Sequence, residues 1–178
     1  MRYLKIPQNR IGVLIGPHGA TKRDIEDKSG IKIDIDSKSG EIALNGHDID
    51  DPLQILKTES IIRAIGRGFS PEHAMRLLND DVELHIFDIH DYVGKKDSHI
   101  KRIKGRIIGQ KGKAKQVLEE LTGTHISVYG HTVSVIADVM CMDIVKKAID
   151  MLLTGSRHPT VYRYIESNLK KLKIESMF

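Results

Sequence analysis

The chain has 178 residues, 40% of them hydrophobic and 29% charged, with a formal net charge of +4. This is the composition of a soluble globular protein long enough for one large domain or two small ones. A single cysteine, Cys141, excludes an intramolecular disulfide and a cysteine-rich zinc module. No stretch approaches the roughly 20 apolar residues of a membrane span, and the start, MRYLKIPQNR, lacks the apolar core of a signal peptide, so a cytoplasmic location is expected by default.

Tyr3 to Ile6 predicts a short strand, and a short helix then runs into GPHG at 16–19. A second helix starts at once and closes at Gly30, as a C-terminal glycine does. Ile31, Ile33 and Ile35 alternate with charged residues and Ile42 and Leu44 follow, which predicts two strands. A longer helix is expected from about Pro52 to Ile65, with the proline in its first turn. SPEHAMRLLNDD, from Ser70, opens with a Ser-Pro-Glu helix start and reads as a linker helix packed on one domain.

The same order then recurs. A strand is expected from Val82 to Phe87, and next a helix with Ile100, Ile103 and Ile107 on one face, leading into GQKG at 109–112. The following helix carries the apolar stripe Ala114, Val117, Leu118 and Leu121 and ends at Gly123. Strands around Ile126/Val128 and Val133/Val135, a helix from about Met140 to Leu153, and a C-terminal helix with Val161, Ile165 and Leu169 on one face complete the chain. The order β-α-α-β-β-α occurs twice. It predicts an α+β protein with a first domain at 1–79, including the linker helix, and a second at 80–178, including the C-terminal helix.

The recurrence is visible in the residues themselves. VLIGPHGATKRDIEDKSGIKIDI, from Val13, aligns without gaps to RIIGQKGKAKQVLEELTGTHISV, from Arg106, with seven of 23 positions identical, among them Gly16/Gly109, Gly19/Gly112, Lys22/Lys115, Glu26/Glu119 and Ile33/Ile126. At this spacing each copy is domain-sized, unlike the units of a solenoid.

Paired glycines between two helices suit a backbone that must approach a sugar-phosphate chain closely, because glycine removes the β-carbon and accepts unusual dihedral angles. The helix that follows presents unpaired N–H groups and a positive dipole end. Ile107 and Ile108, just before the second loop, are expected to line a groove for bases. From Ser98 to Leu118 there are seven basic residues (Lys101, Arg102, Lys104, Arg106, Lys111, Lys113, Lys115) and no acidic ones, whereas Asp34 to Glu59 is acid-rich. Such asymmetry marks a phosphate-facing surface. The two copies are unequal: Gln110 and Lys111 are compatible with phosphate, whereas Pro17 has no N–H and His18 is largely neutral at pH 7. Three Phe, five Tyr and no Trp are too few for a sheet that stacks successive bases.

Other chemistry is weak. Neither loop fits GxxxxGK[ST]. The nine histidines show no HExxH pair and no regular ligand spacing; His85 and His90 read as ordinary polar residues. Asp48, Asp50 and Asp51 suggest a metal site but precede a predicted helix, where acids cap and complement the dipole. Cys141 reads as a small buried hydrophobe. No enzyme activity, metal or cofactor is expected.

These loops, the flanking LIG and IIG, the following helices and the duplication resemble the KH family, over nearly all of both copies. The resemblance implies two eukaryotic-type (type I) KH domains, each a three-stranded antiparallel sheet with three helices on one face. It also implies that a GXXG loop clamps single-stranded RNA. The RNA site is then Gly109, Gln110, Lys111, Gly112, Lys104, Arg106, Ile107, Ile108, Lys113 and Lys115, with Gly16, Pro17, His18, Gly19 and Lys22 as a second candidate. Whether the first copy binds RNA, contacts the second copy or contacts another protein is left open. RGFSPEHAMRLL and GSRHPTVYRYIE further resemble the archaeal branch of the Partner-of-Nob-one type of ribosome-assembly factor, with the small-subunit processome KH proteins close behind. That implies binding to small-subunit rRNA or its precursor near the 3′ end, alongside a PIN-domain endonuclease and other assembly proteins. An interaction scaffold or a general RNA-binding adaptor is the competing class.

Overall fold

The computed structural model describes residues 1–47 and 49–178; Asp48 of the HDIDD run lies outside them. The chain divides into two compact units, Met1–Val82 and Glu83–Phe178.

The first unit runs β1 (Arg2–Lys5), α1 (Gln8–Ile15), α2 (Ala20–Ser29), β2 (Lys32–Asp36), β3 (Glu41–Asn45), α3 (Leu53–Gly66) and α4 (Pro71–Met75). Its sheet has the order β1-β3-β2, with β3 antiparallel to both neighbours and Ile33 opposite Leu44. Strand alternation puts Ile33, Ile42 and Leu44 on the covered face, where they are buried with Leu14, Ile25, Ile61, Ile62 and Ile65 from the helices. Each such fully buried side chain contributes about 1.5–3 kcal/mol. Lys32, Asp34 and Asp36 take the alternate positions and stay exposed. The linker segment becomes α4 and a 3-10 turn packed on α3 within this unit: Ser70 accepts the His73 N–H at 3.3 Å, and Ala74 and Leu77 are buried. Asp51 accepts the Leu53 N–H at 2.9 Å, the capping role expected of an acid just before α3.

The second unit repeats the order with additions. It runs β4 (Val82–Asp88), α5 (His90–Val93), α6 (Asp97–Ile108), α7 (Lys113–Thr122), β5 (His125–Tyr129), β6 (Thr132–Asp138), α8 (Val139–Leu153) and α9 (His158–Ser176), with sheet order β4-β6-β5. Short α5, too brief to carry a periodic signal, was not expected; it is fastened to α8 by Tyr92, whose hydroxyl donates to Asp150 at 2.9 Å. Burial and that carboxylate push the phenol up to about 12, so it remains a donor. Ile103, Ile107, Leu118, Ile126, Val133 and Val135 form the core with α8 and with Val161 and Ile165 of α9. Asp138 caps α8 by accepting the Met140 N–H at 2.8 Å. Cys141 is half-buried on α8, and burial pushes its thiol up. Among the described residues no helix is long and apolar enough to cross a membrane.

Candidate nucleic-acid interface

The two glycine loops share one backbone. Gly16 lies at φ 73°, ψ 176° and Gly109 at 74°, 178°, a region essentially closed to other residues. His18 (52°, 29°) matches Lys111 (51°, 30°), and Gly19 (75°, 14°) matches Gly112 (74°, 11°). A β-carbon on Gly16 would lie 2.8 Å from the Thr21 amide nitrogen, and one on Gly109 would lie 2.8 Å from that of Ala114. The first glycine of each loop is therefore required by conformation and by space. The second is required by conformation alone in GQKG, where a β-carbon on Gly112 would meet nothing within 4 Å. Gly19 and Gly112 occupy the N-cap positions of α2 and α7 and supply no side-chain cap, and the first N–H of each helix turns back into the loop, Ala20 donating to the Pro17 carbonyl and Lys113 to the Gln110 carbonyl.

Beneath each loop the structure repeats a contact that explains several identities between the copies. Glu26 accepts the Ile33 N–H at 2.8 Å and Glu119 accepts the Ile126 N–H at 2.8 Å, tying the helix after the loop to the strand beside it. Lys22 lies 3.9 Å from Glu26, and Lys115 lies 3.3 Å from Glu119. Both lysines, candidates for phosphate on sequence grounds, are thus partly neutralised by the carboxylate four residues on.

The remaining candidates separate by helix face. Gln110, Lys111 and Lys113 are exposed at the loop, and Gly109, Gly112, Lys104 and Ile108 are half-buried around it. Lys104 and Ile108, four residues apart, share one side of α6, while Arg102 and Arg106 share the opposite side. These two arginines line a separate depression of about 480 Å³ with Tyr92, Ile103, Leu153 and Thr154. Arg106 donates to the Ser156 carbonyl, and its own carbonyl accepts from His158 Nε2 at 2.8 Å. It fastens α6 to the α8–α9 turn. Ile107, expected to line the groove, is instead fully buried in the core, because the face that carries Ile103 carries Ile107 as well. Ile108 is the isoleucine left for the groove.

In the first unit Pro17 and His18 are exposed. Arg23, not singled out by the sequence, extends its guanidinium over the loop, 3.2 Å from where a β-carbon of Gly19 would be. The adjoining strand counts against phosphate. Asp34, Asp36 and Glu41 line an open depression of about 500 Å³ with Lys22, Tyr3 and Ile35. At the equivalent strand positions, fixed by Ile33/Ile126 and by the sheet register, the second unit has Ser127, Tyr129 and Thr132. Three carboxylates are replaced by a neutral wall.

The duplicated fold and its GXXG turns are those of a KH-domain protein. The KH domain family matches residues 1–77, and a eukaryotic-type (type I) KH domain, the second one of PNO1, matches residues 83–170. A KH domain-containing protein of Methanocaldococcus jannaschii is 44% identical over 171 residues, covering 96% of this chain and 74% of the relative. The a/eIF2alpha-aDim2p-rRNA complex from Pyrococcus horikoshii contains a chain 45% identical, with a TM-score of 0.88, covering 96% of this chain and 94% of that one. The pre-rRNA-processing protein PNO1 of Saccharomyces cerevisiae is 26% identical over 147 residues, and the match spans 82% of this chain but 54% of the yeast protein. The chain belongs to the tandem-KH family of archaeal Dim2p and eukaryotic PNO1, a family of binding proteins rather than enzymes.

Proposed function

We propose that the chain binds single-stranded RNA through the groove between the GQKG loop, α6, α7 and β5, and acts as a non-catalytic factor in small-subunit ribosome assembly. One observation carries the reading. The second unit places Gln110, Lys111 and Lys113 exposed at a glycine-built turn, beside a strand that presents Ser127 and Tyr129 where the first unit presents Asp34 and Asp36. Phosphate oxygens meet Lys111 and Lys113 there, and the carboxylate beneath the loop, Glu119, is engaged by Lys115 and the Ile126 N–H. Lys104, Lys111, Lys113 and Ile108 are the side chains we assign to RNA; Arg106, Ile107 and Lys115 support the clamp from behind.

The RNA we assign is small-subunit rRNA or its precursor near the 3′ end, in the cytoplasm, with a PIN-domain endonuclease among the partners. The support is the family: one relative is described as a pre-rRNA-processing protein, and another was crystallised in a complex with rRNA. The first unit favours a second role. Its carboxylate-lined depression suits contact with a protein better than with a polyanion, so that half of the chain fits the scaffold reading. Crosslinking in cells followed by sequencing of bound RNA tests the assignment. Enrichment of the rRNA 3′ region is expected, and enrichment of messenger RNAs in its place would overturn the assembly reading.

A further inference from the structure

We propose that Asp88, His90 and His131 form a binding site for a borderline divalent metal ion such as Zn²⁺, placed where the end of β4 meets the β5–β6 turn. One donor atom from each of the three side chains lies within 4.8 Å of the other two. The imidazoles are stacked with centroids 4.2 Å apart and planes 12° apart. Their Nδ1 atoms turn to the same carboxylate oxygen, Asp88 Oδ1, at 2.9 Å from His131 and 3.4 Å from His90.

The surrounding backbone holds this arrangement in place. Ile89, fully buried, donates its N–H to the His131 carbonyl at 2.8 Å, which locks the end of β4 to the turn. Asp88 Oδ1 also accepts the His90 N–H at 2.9 Å, which fixes the carboxylate relative to α5. A hydrogen bond between His131 and Asp88 explains one ring. It does not explain a second ring laid parallel to the first with its Nδ1 directed at the same oxygen.

The donor set selects the ion. Two imidazole nitrogens and a carboxylate oxygen are ligands for Zn²⁺ at about 2.0–2.2 Å, and tetrahedral geometry at that length separates neighbouring donors by roughly 3.4 Å. The 3.4 Å between His90 and Asp88 matches that edge and the 2.9 Å between His131 and Asp88 is shorter than it, so a small rotation that draws His131 back from the carboxylate suffices. Side-chain exposures of 27% for His90, 39% for Asp88 and 44% for His131 leave an outer position open to water. Mg²⁺ and Ca²⁺ prefer six or more oxygen ligands and are poorly served. A bound ion would cross-link β4 to the β5–β6 turn and stiffen strand β5. The site does not depend on the RNA reading, because none of its ligands belongs to the clamp.

The test is calorimetric titration of the metal-free full chain with Zn²⁺, with amide hydrogen exchange followed at 128–132. One site per chain is expected, with exchange slowed at the turn, and His90→Ala and His131→Ala should each weaken it about tenfold or more. His47→Ala, in the first unit, should leave it unchanged; this control matters because the chain has nine histidines. If the His90→Ala/His131→Ala double variant binds Zn²⁺ as tightly as the parent, the assignment is overturned. Should a variant fold poorly, the parent alone decides by NMR: Zn²⁺ must move the imidazole resonances of His90 and His131 first, and first movement at other histidines refutes the site.

Discussion

The two units share a backbone and differ in what they put on it. Their glycine loops agree to within a few degrees at Gly16/Gly109, His18/Lys111 and Gly19/Gly112, and the Glu26–Ile33 bond recurs as Glu119–Ile126 at the same 2.8 Å. The GXXG turn and the contact that supports it are therefore present twice. What differs is charge: exposed Gln110, Lys111 and Lys113 in the loop and Ser127 and Tyr129 on the edge strand of the second unit, against Pro17, His18 and Ala20 in the loop and Asp34 and Asp36 on the edge strand of the first. A duplicated module can keep its geometry while its surface moves to another task, because the residues that shape the turn are not those that meet the ligand.

The largest expected effect tests the shared half of this comparison. Gly16→Ala and Gly109→Ala should each destabilise their own unit by about 3 kcal/mol or more, from a glycine-only conformation and a clash with backbone. Gly112→Ala, which meets open space, should cost only about 1–2 kcal/mol. Urea unfolding checks all three, and unequal costs at Gly16 and Gly109 would break the equivalence of the scaffolds.

The next effect tests the difference. Gln110→Asp with Lys111→Asp should weaken binding of a short single-stranded RNA by roughly 1.5–3 kcal/mol, or about ten- to a hundredfold. Pro17→Asp with His18→Asp should change it little; fluorescence anisotropy reads both. Glu119→Gln should cost about 1–2 kcal/mol of stability by weakening a charged acceptor for the Ile126 N–H, and Glu26→Gln should cost the same. Smallest is the salt response: with three lysines on phosphate, the slope of log K against log salt should be roughly −2, and Lys111→Gln should reduce it by about 0.7.

Much of the fold was legible in the chain because duplication made weak signals mutually supporting. The alternation of Ile31, Ile33 and Ile35, the Ser70 start of α4 and the closing glycines at 30 and 123 each appear where local chemistry requires them. The site was legible in part. GQKG and its lysines stand out in one dimension, but the seven basic residues fall on different faces. Arg106 turns to Ser156 and Ile107 into the core, which helical phase resolves only once the buried face of α6 is known. The acidic wall of the first groove depends on the register of β2 against β3, and the Asp88–His90–His131 cluster depends on β4 ending beside the β5–β6 turn. Neither contact has a local sequence signature.

The central claim is that the second unit is the working clamp. NMR titration of the full chain with a short single-stranded RNA tests it most directly. The account predicts that amide shifts concentrate at 108–113 and along 126–129, with 15–22 and 33–36 nearly unmoved. Shifts concentrated at 15–22, with 108–113 undisturbed, would contradict it.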